Sequence, residues 1–244
     1  MGRKYANPPL KEAVCEFRLA ADSPWDLTMP GLIYEKLRDE FPRRDQRLVQ
    51  EIEITQSQQG LQQQIRTSER ILLLTEDRRI FVQLGPRLLA VHCLQPYPTW
   101  DGFKPKIDKA LTALVDTIGD APRLQRIGLR YINQIELPSA SAKLEDYFEF
   151  YLFLGPRLPR TANFIAGCEF TYSEGRDLCR VQLRTSDPSK PSTLTLDIDY
   201  FLAKPGAVGA QEAIGWVESA HDEVEQVFEG CITDRLRQVF GEVN

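Results

Sequence analysis

The chain has 244 residues, 42% hydrophobic, 27% charged and 9% aromatic, with a formal net charge of -5. This composition excludes the apolar depletion and one-sided charge of a disordered chain, and its acidity weighs against a protein built to neutralise nucleic-acid phosphates. A chain of this size buries roughly 70% of its unfolded surface, so its core needs no disulfide or metal staple.

The first elements are read from hydrophobic period. Cys15, Phe17 and Leu19 alternate with Glu16 and Arg18, which predicts a half-buried strand over 13–19. Ile33, Leu37 and Phe41 recur at helical spacing and predict a helix over 30–41, with Pro30 in its first turn and Pro42 as its stop. Strands are predicted over 48–55, 61–67, 71–75, 80–84 and 88–94, with Gly85-Pro86 breaking the last two apart. Together they read as an antiparallel meander. Phe103, Ile107, Leu111, Leu114 and Ile118 then form the stripe of a helix ending at Gly119.

The second half repeats the order. A strand over 126–134 carries Ile127, Leu129 and Tyr131 on one face, and an aromatic helix is predicted over 144–154. Strands follow over 164–172, 178–185 and 192–201, then a long helical region over 211–240 with Val217, His221, Val224, Phe228 and Cys231 on one seam. The expected fold class is therefore α+β, a tandem duplication of a β-α-(β)n-α unit with antiparallel sheet covered by helices. Residues 1–120 form the first repeat and 121–244 the second, in one compact pseudo-symmetric unit with a continuous sheet favoured. The order of elements resembles that of TATA-box-binding-protein-like and helix-grip folds, a likeness that does not fix function.

Four phrases carry a second resemblance: Tyr5-Ala6-Asn7-Pro8-Pro9-Leu10-Lys11-Glu12-Ala13, Pro96-Tyr97 with Trp100, Gly128-Leu129-Arg130-Tyr131-Ile132-Asn133, and Leu196-Asp197-Ile198-Asp199-Tyr200-Phe201. In this order they resemble a sporadically distributed, uncharacterised bacterial family of about this length. The resemblance implies a bacterial setting, such as phage defence or toxin control, and transfers no catalytic residue.

Few residues invite chemistry. Arg126, Arg130 and Asn133 lie on one predicted strand, and Arg180, Gln182 and Arg184 form a polar row on another. If those strands are neighbours, the rows make a cationic patch whose guanidinium forks suit a carboxylate, a phosphate or an acidic partner. Asp197 and Asp199 project from the same kind of face and are expected to pair with these arginines, or to act as a base or as divalent-metal ligands. Neither a glycine-rich phosphate loop nor a histidine stands near them in sequence, so no metal and no cofactor is expected.

His221, on the apolar seam, reads as a packed histidine rather than a general base, and His92 stands far from it in sequence. The double proline at 8–9 reads as a rigid lead-in to the first strand, or as a recognition arm. Four of the five cysteines, Cys15, Cys93, Cys168, Cys179 and Cys231, stand in apolar-patterned elements and none forms a C-x-x-C pair, the setting of reduced thiols. With no apolar stretch of the roughly 20 residues that span a bilayer, the expectation is a cytoplasmic protein without a membrane partner.

These residues favour a non-enzymatic binding or regulatory component that engages a protein partner, a second copy or a small ligand through its sheet. The alternatives are an enzyme acting on a phosphorylated or carboxylated small molecule, and nucleic-acid binding across the sheet, which the net acidity disfavours.

Overall fold

A computed structural model describes residues 3–57, 60–119, 122–155, 157, 158, 161 and 163–243, and of 50–57 and 60–68 it describes the backbone. The first half runs β1 (Lys4–Tyr5), β2 (Leu10–Leu19), α1 (Met29–Leu37), β3 (Arg43–Ser57), β4 (Gly60–Leu74), β5 (Ile80–Gly85), β6 (Leu88–Leu94) and α2 (Trp100–Ile118). The second runs β7 (Leu124–Glu136), β8 (Ile165–Tyr172), β9 (Asp177–Asp187), β10 (Lys190–Leu202), α3 (Ala213–Cys231), α4 (Asp234–Phe240) and β11 (Glu242–Val243). The fold is α+β, with an antiparallel sheet covered by helices.

One sheet spans both halves, in the order β3-β4-β5-β6-β2-β7-β10-β9-β8. Within this sheet each half sets its first strand beside its last, β2 against β6 and β7 against β10, and the halves join where β2 pairs with β7. The two halves are thus alike in strand order. The likeness is incomplete, because the helix predicted over 144–154 does not form. Only Leu144–Asp146 makes a 3-10 turn. The chain then runs alongside the end of α3, where Cys231 O accepts from Glu149 N at 2.9 Å and Thr233 N donates to Tyr147 O at 3.0 Å. Those backbone groups are satisfied across the fold and not along a helix.

The same contact splits the long C-terminal helix. Ile232 bridges Phe148 in extended conformation, ends α3, and leaves Thr233 to cap α4 by accepting from Leu236 N. The predicted strands at 61–67 and 71–75 are one strand, β4, paired with β3 from Arg43↔Leu74 to Ser57↔Gly60.

Alternation along the strands decides the layers. Ala13, Cys15, Phe17 and Leu19 of β2, Ile127, Leu129, Tyr131 and Ile135 of β7, and Leu194, Leu196, Ile198 and Tyr200 of β10 point to one side, where the core lies. From the helices this side receives Ile33, Phe103, Ile107, Leu114, Val217 and Val224, all fully buried. Each such side chain contributes roughly 1.5–3 kcal/mol. Gly119, with φ +87°, ends α2 by returning its N–H to Val115 O.

The double proline is a lead-in. Its carbonyl at Pro9 accepts from Gln134 N, Ala6 and Asn7 donate to Gly241 and Phe240 carbonyls, and β1 pairs with β11. No helix among the described residues is long and apolar enough to cross a membrane.

Candidate functional site

The helix-free face of the sheet is laid out by register. One row crosses seven strands as Phe81, His92, Val14, Arg130, Asp199, Arg180 and Glu169, each opposite the next. The two arginine rows are not neighbours, because β10 lies between β7 and β9 and inserts Asp197 and Asp199. Charge therefore alternates from strand to strand, and no continuous cationic patch forms.

Every interior member of this pattern is paired. Arg130 grips Asp197 with both arms of its fork, Nε to Oδ1 at 2.7 Å and Nη2 to Oδ2. Arg126 binds Asp199 at 2.9 Å and Glu16 at 3.2 Å, and its guanidinium lies 4.2 Å above the Phe201 ring. Arg180 holds Glu169 at 2.8 and 2.6 Å. Hydrogen bonding to Asp197 raises Arg130 above the ordinary arginine value, and burial raises the Asp199 carboxyl although Arg126 and Arg130 pull it down. His92 stacks on Phe81 at 4.5 Å and meets Glu12 through Nδ1 at 2.7 Å, while its buried Nε2 has no hydrogen-bond partner among the described residues.

Glycine makes room for two of the guanidiniums. A Cβ on Gly85 would lie 2.2 Å from Arg70 Nη1, and one on Gly128 3.3 Å from Arg126 Nη2. Between β6, β2, β7 and β9 a depression of about 440 Å³ remains, edged by Glu16, His92, Arg126, Arg130, Arg180 and Asp199. A smaller one of about 100 Å³ lies over Arg130, Arg180, Gln182, Asp197 and Asp199.

Two of the expected site residues stand apart. Arg184 is on the same face but toward the far end of β9, opposite Thr195 and Ile165, and lines neither depression. Asn133 is on the other face: it is buried among the helices, and its Nδ2 donates to Leu196 O at 3.3 Å. Its odd parity, shared with Tyr131, puts it there.

That other face holds a constellation the sequence did not join. Tyr97 Oη and Tyr131 Oη are 3.2 Å apart, Tyr131 Oη is 2.8 Å from His221 Nδ1, and His221 Nε2 is 3.3 Å from Glu225 Oε1. Trp100 stacks on the imidazole at 4.1 Å. Burial lowers His221 to about 4 and keeps both phenols protonated by raising them. The one signal available was the spacing of His221 and Glu225, four apart on a helix.

Among the described residues, no three His, Cys, Asp or Glu side chains gather as metal ligands. Burial pushes Cys93, Cys179 and Cys231 up to about 12, and Cys15 well above its ordinary value, so these thiols stay protonated. Comparison with family models and with curated proteins returned no match.

Proposed function

We propose that the chain is a non-enzymatic binding or regulatory component that engages a protein partner through the helix-free face of its sheet. The observation that carries this reading is the alternation of paired charges: Arg126 and Arg130 on β7, Asp197 and Asp199 on β10, Arg180 on β9 and Glu169 on β8. A phosphate or carboxylate ligand would have to displace a carboxylate from each fork it used. An extended protein surface need not, because satisfied ion pairs lose less on desolvation than lone charges and a rim of complementary charge adds to them. Phe201 and Ile132 supply half-buried apolar surface between the pairs.

The enzyme alternative would need Asp197 or Asp199 as base or metal ligand. Both carboxylates would first have to release Arg130 and Arg126.

The test is capture from a bacterial lysate by the immobilised chain, with identification of what is retained. The double variant Arg126→Glu with Arg180→Glu places like charges beside Asp199 and Glu169 and is expected to lose the partner. Arg235→Glu on α4, whose partner is Asp146, is expected to keep it. Circular dichroism checks that each variant is folded. Retention of nothing, or equal retention by the folded double variant, would overturn the reading.

A further inference from the structure

On the helix-covered side, where the lead-in meets α3, lies a second cavity of about 120 Å³. This is about four waters' worth of liquid volume, far below the several hundred cubic ångströms of a nucleotide-sized pocket. The aromatic residues Tyr5, Tyr97, Tyr131 and Phe228 line it, together with the polar or charged residues Arg3, Asn133, Glu225 and Glu229.

Of the two carboxylates that line it, Glu229 is matched by arginines and Glu225, among the described residues, is not. Arg3, which lines it, is engaged by Glu229 at 3.9 Å and by Glu242; Arg237, outside the lining, also binds Glu229, at 2.9 Å, and Asp234. Tyr5 donates to Glu229 as well, at 2.6 Å. Glu225 has no Lys or Arg partner among the described residues; its one ion-pair contact is His221, whose imidazole is neutral near pH 7. A carboxylate with no Lys or Arg partner among the described residues thus lines a cavity walled by aromatic rings.

Donor directions agree. With a neutral imidazole carrying its proton on Nε2 toward Glu225, Nδ1 accepts from Tyr131, and Tyr131 in turn accepts from Tyr97. The phenol protons are used inside the chain. What the cavity offers a guest is acceptors: the Glu225 carboxylate, the Tyr97 oxygen and the Asn133 amide oxygen, whose NH2 is bound to Leu196 O.

We propose that this cavity is a binding site for a small primary alkylammonium ion, with its N–H groups on Glu225 and Asn133 and its carbons against Tyr5, Tyr97 and Phe228. Charge-assisted hydrogen bonding and aromatic faces act on the same cation, which selects it over a hydrated sodium ion.

Ligand-observed NMR with ethylammonium chloride, at ionic strength matched with sodium chloride, tests the site. Saturable binding is expected, and Glu225→Gln should weaken it about tenfold or more. Glu218→Gln, on the same helix and paired with Lys104, should leave it unchanged. Phe228→Leu, which removes one ring and keeps an apolar side chain, should weaken binding severalfold and serves if Glu225→Gln does not fold. A capped lysine is the second probe: binding of ethylammonium alone assigns a free amine, and binding of both assigns a lysine side chain presented by a protein. No saturable binding, or equal binding by the folded Glu225→Gln and Phe228→Leu variants, would overturn the proposal.

Discussion

One step along β7 changes the chemistry, because Arg130 faces the charged side of the sheet and Tyr131 the helices. That division was legible: residues 126 and 130 share one parity, and 131 and 133 the other. Grouping Asn133 with the arginines ignored it. The pairing of Tyr131 with His221 was not legible, since nothing local specifies which helix covers which strand. It has a measurable consequence. Burial depresses His221 from 6.5 to about 4, so the unfolded chain takes up a proton at higher pH than the folded one. Its contribution is fully present above pH 6.5 and is lost as pH falls toward 4, an effect of about 3 kcal/mol at most. Glu225, raised by burial, pulls the other way over the lower part of that window. Thermal melts from pH 7 to 4 should show a steeper fall in Tm for the wild type than for His221→Gln.

At the scale of elements, period served where one face met solvent and failed where both sides were packed. The strand ending at Leu19 and the stop of α2 at Gly119 stand where alternation and glycine put them. The aromatic run at 144–154 has no such contrast. Tyr147 and Phe148 are buried and Phe153 is 69% exposed, but the backbone between them is held by the end of α3. Apolar period also runs straight across Ile232, so the break before α4 is decided by that same partner. Thr233 fixes the junction, accepting from Leu236 N and donating its hydroxyl to Asp146 O at 2.8 Å. Thr233→Ala is expected to cost about 1 kcal/mol, read as a lower urea midpoint with an unchanged slope.

For the whole molecule, the repeated order of elements was written in the sequence, but the order of strands was not. The interposition of β10 between β7 and β9 turned an expected cationic patch into a mosaic of pairs. The join of β2 to β7, from Leu10↔Asn133 to Leu19↔Leu124, lies at the centre of the sheet. A fragment ending at Gly119 would leave β2 as a long edge with Cys15 and Phe17 stripped of their β7 neighbours. Fragments 3–119 and 122–243 are each expected to show little fixed tertiary structure alone by near-ultraviolet circular dichroism. When mixed, they should regain the signal of the intact chain.

Read outward from the join, the sheet is an unfinished palindrome: β6, β5, β4 and β3 on one side answer β10, β9 and β8 on the other. The side that is one strand short ends in β8, which exposes Ile165 and Phe170 and carries a single charged residue, Glu169. A short apolar edge of this kind is a seed for chain-to-chain association, and one carboxylate at its middle is the sort of gatekeeper that discourages it. The Arg180–Glu169 pair is therefore also a colloidal safeguard, since it fixes that carboxylate at the middle of the last strand.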